Sequence, residues 1–167
     1  MRILGLDPGT ASLGVAVLEH SDGSEPHCLF FSCLRTSKNE AMPARILQHY
    51  DSLRRLVNEY RPEVVACEEL FFNKNVRTAL SVGAVIGVIL LVAGQENLPL
   101  YMYSPLQVKM AIAGYGRATK EQIQDSLALL LGLPARPRPD DAADALAIAL
   151  CHTYAAKWRR LTEGTSP

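Results

Sequence analysis

Apolar residues recur along the chain with two periods, and the shorter runs predict β-strands. Five apolar runs of strand length are bounded by turn-forming residues. They cover Arg2–Asp7, Leu13–Glu19, His27–Arg35, Glu63–Glu68 and Leu98–Tyr103. Because short polar turns join the first three runs, we expect these to form an antiparallel meander.

Helical spacing fills the intervals between the later strands. Apolar residues return every three or four positions from Met42 to Tyr60, which predicts an amphipathic helix that begins near Pro43 and ends before Pro62. Further helices are predicted over Thr78–Gly94 and Pro105–Ala113, from a capping box at Thr119 to Gly132, and from Asp140 to at least Leu150. The order of elements predicts an α/β fold with a mixed five-stranded sheet flanked by helices.

The segment Thr78–Gly94 is apolar on every face. It holds seventeen residues without a charge, and Gly83 and Gly87 are four positions apart. A membrane span is a poor interpretation, since the run is short and lies mid-chain between strand signals. A helix that is apolar all round is either central or has a second face in an interface. We therefore expect no membrane association and a homodimer whose seam includes Gly83 and Gly87.

The length and composition are those of one globular domain. Of 167 residues, 49% are hydrophobic and 20% are charged. We expect a single domain over residues 1–158 and a flexible C-terminal tail over 159–167. Because the acidic Asp7 follows only six residues after the start, we expect that the N-terminus is not a signal peptide. Four cysteines without zinc-ligand spacing predict reduced thiols and a cytoplasmic protein: Cys28, Cys33, Cys67 and Cys151.

The overall charge balance hides a local basic stretch. The chain has 17 basic and 17 acidic residues, which argues against a uniformly basic nucleic-acid binder. Between Ser104 and Arg138, however, five cations face only Glu121 and Asp125. These cations are Lys109, Arg117, Lys120, Arg136 and Arg138. The sequence thus allows a basic patch beside an acidic pocket.

Acidic residues at the start of the last helix suggest a metal site. Asp140 is in the position of an N-cap, and Asp141 and Asp144 are three residues apart on one helix face. Capping and the helix dipole explain Asp140 and Asp141, but Asp144 lies a full turn inside an apolar helix, where an unpaired charge is costly. A divalent cation would compensate both carboxylates.

Two predicted strands also end in carboxylates. Asp7 ends the first strand, where it is either a ligand or part of an Asp-Pro-Gly turn. Glu68 and Glu69 end the fourth strand and point to opposite faces, so only one can join Asp7, and the pattern favours neither. His152 falls close to the face of Asp144, and we expect it to be a core or hydrogen-bonded histidine.

The loop after the fourth strand has residues suited to nucleic acid. Phe71 and Phe72 adjoin Lys74, which suits stacking on a base and holding a phosphate. Packing of both phenylalanines beneath the loop is the alternative. Lys120 lies in the first turn of a helix, where a cation opposes the dipole, so either anion binding or a solvated lysine accounts for it.

Four motifs together carry a family resemblance. LGLDPGT, ACEELFFNKN, LQVKMAIAGYGRATKEQIQ and DDAADALAIAL resemble, in order and spacing, the RuvC family of crossover junction endodeoxyribonucleases, which have the ribonuclease-H-like fold. The match runs from Met1 to about Trp158. The resemblance implies catalytic, metal-binding carboxylates at four positions: Asp7, Glu68, Asp141 and Asp144. It thereby selects Glu68 over Glu69.

The resemblance also implies the substrate and partners. The expected activity is resolution of four-way (Holliday) DNA junctions in recombination and repair, by paired symmetric hydrolysis with two Mg²⁺ or Mn²⁺ ions per active site, which leaves 5′-phosphate and 3′-hydroxyl ends. A homodimer and a branch-migration complex of RuvA and RuvB are the expected partners. The expected DNA contacts are Phe71, Phe72, Lys74, Lys109, Arg117 and Lys120, of which Phe71 matches the aromatic inserted at the crossover.

Three other classes of protein are considered. LGLDPGT also opens actin-like ATPases and sugar kinases, but those enzymes clamp nucleotide between two such domains and this length supplies one. An inactive junction-binding module is disfavoured by the complete set of carboxylates. A related ribonuclease-H-like nuclease that acts on RNA or flapped DNA is distinguished only by its substrate.

Overall fold

The computed structural model describes residues 1–21, 23–69 and 76–163, which form a five-stranded mixed sheet with helices on both faces. The strand order is β3-β2-β1-β4-β5. Strand β1 pairs antiparallel with β2, and β2 with β3, whereas β1–β4 and β4–β5 are parallel. The strands are β1 Arg2–Asp7, β2 Ser12–Glu19, β3 His27–Arg35, β4 Val64–Glu68 and β5 Leu100–Tyr103. The predicted sheet and its meander are confirmed.

The helices follow the predicted order, with two corrections to α5. They are α1 Met42–Tyr60, α2 Val76–Gln95, α3 Pro105–Ala113, α4 Lys120–Leu130 and α5 Asp140–Glu163. Asp140 is the first residue of α5 and not the residue before it, and its carboxylate accepts a hydrogen bond from Gln124 Nε2 at 3.0 Å. The helix continues to Glu163, so the predicted start of the tail at 159 is too early. Residues 164–167 lie outside the described residues.

The period-two pattern of β1 places successive side chains on opposite sides of the sheet. Ile3 belongs to the core beneath α3, α4 and α5, whereas Leu4 and Leu6 belong to the core beneath α1 and α2. Both cores are formed by buried aliphatic residues, so β1 is central in three dimensions as well as in strand order. Asp7 is four residues after Ile3 in the same strand, so its side chain lies on the same face of the sheet, the face covered by α5.

Gly5 permits α5 to pack directly on the sheet. A Cβ atom at Gly5 would lie 2.3 Å from the carbonyl oxygen of Ala145 and 2.8 Å from the Cβ of Ala149. Small residues on both surfaces therefore bring the two backbones into contact. On the same helix, His152 is buried and its Nδ1 is 2.7 Å from the hydroxyl oxygen of Tyr103, which confirms the expected hydrogen-bonded histidine.

No helix within the described residues is long and apolar enough to cross a membrane.

We predict that Gly5→Ala destabilises the protein by about 3 kcal/mol, because the new methyl group forces α5 away from β1. The melting temperature should fall by roughly 6–12 °C. Gly94→Ala in α2 is the matched control, since a Cβ atom there would meet no described residue within 4 Å. An equal melting temperature for Gly5→Ala and the native protein would contradict the proposed close packing.

Candidate active site

Asp7 and Glu68 lie side by side at the ends of two parallel strands. Strands β1 and β4 pair in parallel, with Leu6 opposite Cys67, so the next residues along each strand are neighbours. Val64 and Ala66 belong to the core beneath α5. Glu68 is two residues beyond Ala66 in the strand, so its side chain points to the same face of the sheet. Glu68 therefore faces Asp7 on the α5 side, and the two carboxyl groups share a hydrogen bond.

The first turns of α5 bring Asp141 and Asp144 to the same place. A Cβ atom at Gly14 would lie 2.0 Å from the carbonyl oxygen of Asp141 and 3.1 Å from the Cβ of Asp7. Gly14 is opposite Asp7 in the β1–β2 pairing. The absence of a side chain at this position therefore lets α5 begin directly above the end of β1.

The grouped carboxylates repel one another in a partly buried setting. Burial, followed by the charges of Glu68, Asp144 and Asp141, raises the pKa of Asp7 to about 8. Burial is also the largest cause of the raised pKa values of Glu68 and Asp144. The structure thus concentrates more negative charge at one edge of the sheet than the protein itself compensates.

Asp141 and Asp144 each have a polar partner. Asp141 Oδ2 accepts a hydrogen bond from the hydroxyl of Ser12, and the oxygen of that hydroxyl is 2.8 Å from the sulfur of Cys33. The ammonium of Lys120 lies 3.5 Å from a carboxylate oxygen of Asp144, and Asp144 is the largest cause of the raised pKa of Lys120. The sequence did not predict Ser12 or Cys33 here, because nothing in the pattern separates them from ordinary strand residues.

The donor set fits a divalent cation. All four groups are hard carboxylate oxygens, which Mg²⁺ and Mn²⁺ prefer. Burial, and then repulsion by the neighbouring carboxylates, raises the pKa of Asp7, and a bound cation would relieve that repulsion. Among the described residues, no three acidic, histidine or cysteine side chains already converge as bound-ion ligands. The carboxylates of Asp141 and Asp144 that contact Ser12 and Lys120 are thus the same groups that would hold a cation.

A cavity of about 180 Å³ extends from the carboxylates between α3, α4 and α5. Glu68 and Asp144 form one part of its wall, and Lys109 and Lys120 contribute two cations. Its remaining lining is mainly aliphatic: Pro105, Val108, Ile123, Ala147 and Ile148. The two lysines predicted to contact DNA thus lie beside the carboxylates.

Of the other predicted DNA contacts, the structure describes Arg117, which does not line this cavity. Arg117 is exposed in the connection between α3 and α4. Phe71, Phe72 and Lys74 lie outside the described residues.

Comparisons with known proteins show the family of this chain. The family model described as crossover junction endodeoxyribonuclease RuvC matches residues 3–152. Proteins with that name from Roseiflexus sp. (strain RS-1) and Moorella thermoacetica are 52% and 50% identical over 98% and 96% of this chain, and 97% and 95% of their own lengths. The structure of T. thermophilus RuvC in complex with Holliday junction substrate superposes with a TM-score of 0.91 at 36% identity, over 95% of this chain and 96% of that one.

These matches span nearly the whole chain on both sides of each comparison. The fold is ribonuclease-H-like, as the sequence motifs implied. The chain belongs to the RuvC family of crossover junction endodeoxyribonucleases.

Proposed function

We propose that this protein is an endonuclease that resolves four-way DNA junctions with divalent cations at Asp7, Glu68, Asp141 and Asp144. The observation that carries the proposal is the convergence of β1, β4 and α5, which groups these carboxylates beside Lys109 and Lys120. An acidic centre flanked by cations suits a phosphodiester, because the cations offset the repulsion between substrate and carboxylates.

The protein groups have distinct tasks in this proposal. Two Mg²⁺ or Mn²⁺ ions bound by the carboxylates would activate a water molecule and neutralise the departing sugar oxygen, giving 5′-phosphate and 3′-hydroxyl ends. Lys120 and Lys109 hold non-bridging phosphate oxygens and so orient the backbone. Ser12 donates a hydrogen bond to Asp141 and so orients that carboxylate, which would help to hold the cations.

Paired cuts in the two strands of a four-way junction need two active sites. We propose that the second site comes from a second copy of the chain, related by two-fold symmetry. The exposed face of α2 supports this arrangement, since Leu80, Gly87 and Leu91 repeat at helical spacing and Leu80 is 71% exposed. Among the residues that the structure describes, none lies within 4 Å of the position that a Cβ atom would take at Gly83 or at Gly87.

The remaining parts of the proposal concern the cellular setting. We infer a single nuclease domain that acts in the cytoplasm in DNA recombination and repair. The four cysteines are unpaired, which is usual in a reducing compartment. Family membership supports partnership with the RuvA and RuvB branch-migration proteins. The aromatic and basic side chains Phe71, Phe72, Lys74 and Arg117 remain proposed DNA contacts.

We predict that the native protein makes symmetric nicks in a labelled synthetic four-way junction with Mg²⁺ or Mn²⁺. The Asp144→Asn variant should lower the rate of nicking by at least about 100-fold. Denaturing gels measure the nicks, and gel shifts without cleavage measure binding, which Asp144→Asn should retain. Linear duplex is the control substrate. Binding without cleavage by the native protein would indicate an inactive module, and equal cleavage of duplex or RNA would reject junction specificity.

We predict that Mg²⁺ raises the melting temperature, because bound cations relieve repulsion present only in the folded state. An ion concentration near 100 times Kd stabilises by about 2.7 kcal/mol, which corresponds to roughly 5–10 °C for this chain length. Glu68→Gln and the double variant Asp141→Asn/Asp144→Asn should lose most of the rise. Glu69→Gln, which alters the neighbouring exposed carboxylate, should keep it; a full rise in Glu68→Gln would count against the site.

We predict that Gly87→Glu is monomeric by light scattering, since it places a charge in the proposed seam. Leu129→Glu is the control, because Leu129 is 83% exposed on α4, outside the proposed seam. The Leu129→Glu protein should remain dimeric. A dimeric Gly87→Glu protein would refute the assignment of α2 as the seam.

A further inference from the structure

A second cavity, of about 340 Å³, opens between the end of β3 and α1. It is distinct from the cavity beside the carboxylates and lies on the other side of Asp7 along the sheet edge. Its lining is rich in groups that can donate hydrogen bonds: Cys33, Arg35, Thr36, Gln48, His49, Ser52 and Arg55, together with Leu34 and Asp51.

Buried polar contacts tie this cavity to the segment that follows Asp7. His49 is 1% exposed, and its Nε2 lies 2.9 Å from the carbonyl oxygen of Thr10. The hydroxyl of Thr36 donates to the same carbonyl at 2.7 Å, and Arg45 Nε donates to that hydroxyl at 2.9 Å. The wall of the cavity is thus fixed relative to the active-site end of β1.

The cations of the cavity are available to a ligand. Within the described part of the chain, Arg55 donates to uncharged oxygens alone, the carbonyl of Asp51 at 3.4 Å and the hydroxyl of Ser52 at 3.3 Å. Arg35 is exposed and forms no ion pair with any part of the chain that the structure describes. The carboxylate of Asp51 also lines the cavity and would repel an anion. Two arginines and one aspartate leave one net positive charge.

Other nearby charges do not reverse this balance. Glu40 accepts a hydrogen bond from Gln48 Nε2 at 2.8 Å and adds one negative charge nearby. Arg45, which donates to Thr36, adds one positive charge and balances it. Burial is the largest cause of a lowered pKa for His49, so that residue is neutral at pH 7. An anion that fills the cavity would meet arginine guanidinium groups and the hydroxyls of Thr36 and Ser52.

The cavity opens at the same end of the sheet as the carboxylates, because Arg35 is opposite Ser12 in the β2–β3 pairing and Asp7 is opposite Gly14 in the β1–β2 pairing. Strand β3 is two places from β1 in the sheet, and strands are about 4.8 Å apart, so the ends of β1 and β3 are separated by roughly 10 Å. The phosphates of one DNA strand advance by about 3.4 Å per nucleotide along the axis. A phosphate two or three nucleotides from the cut would therefore reach Arg35.

We propose that the cavity between β3 and α1 binds a backbone phosphate of the DNA two or three nucleotides from the scissile one, through Arg35 and Arg55. This assignment rests on the proposed junction-binding function. Together with Lys109 and Lys120, it gives the strand a cationic contact on each side of the carboxylates. Its role is to position the strand, because phosphate contacts fix register without reading sequence.

The test is the affinity of a synthetic four-way junction, measured by fluorescence anisotropy in EDTA over a range of salt concentrations. Arg35→Gln/Arg55→Gln should weaken binding by about three- to tenfold and make the slope of log K against log salt shallower by about 1 per occupied site. Asp51→Asn should have the opposite sign and tighten binding, because it removes the opposing carboxylate.

Lys157→Gln is the matched control, since it removes one exposed cation from α5 at a distance of about 24 Å along the helix from Asp141. It should bind with no more than a small loss. In a second junction, neutral methylphosphonates replace the phosphates two or three nucleotides from the cut. The native protein should bind this junction less tightly than the unmodified one, whereas the double arginine variant should bind both junctions equally tightly. That lack of additivity would assign the contact to those phosphates.

The proposal is overturned if the double variant, with a native melting temperature, binds and responds to salt like Lys157→Gln, or if methylphosphonates weaken both proteins equally. Asp51→Asn provides an independent check in a protein that retains both arginines, and an unchanged or weaker affinity would also overturn the site. Failure of the native protein to cleave the junction would instead refute the proposed function.

Discussion

The contact between α5 and the central strands is the constraint on which the rest of the structure depends. Gly5 and Gly14 remove the Cβ atoms that would otherwise meet the backbone of α5 at 2.3 Å and 2.0 Å. One contact fixes the depth of the helix on β1, and the other fixes where its first turn passes β2. Since Asp141 and Asp144 belong to that region of the helix, their distance from Asp7 is set by backbone packing and not by side-chain attraction. Attraction could not set it, because these groups repel one another.

The repulsion is tolerated because the surrounding core is large and well packed. Both sides of β1 are covered by clusters of buried aliphatic side chains, which provide most of the stability of the sheet. Lys120 offsets part of the charge at Asp144 and Glu68, and Ser12 donates a hydrogen bond to Asp141. The neighbouring charges that raise the pKa of Asp7 are all carboxylates. The fold thus maintains an acidic centre at a cost in stability, which is usual where side chains are arranged for binding or chemistry.

The sequence predicted the elements well because their signals are local. Periodicity, Pro and Gly boundaries and capping boxes identified the five strands and the main helices, and the capping box at Thr119 is present in the structure. Periodicity alone could not choose between Glu68 and Glu69. That choice depends on which side of β4 packs against α5, and this follows only from three-dimensional contacts of Val64 and Ala66. The family resemblance supplied the missing information.

Long-range contacts account for what the sequence did not predict. Ser12 and Asp141 are 129 positions apart, and no local pattern links them. The cavity of Arg35 and Arg55 joins a strand end to a helix face, and the isolated segments contain only ordinary surface arginines. The same sheet edge thus presents β3, β2, β1, β4 and β5 in spatial order, with cations near both ends and carboxylates between them. A chain whose net charge is zero can hold a polyanion in this way, because attraction depends on where its charges lie along the path of the strand and not on their sum.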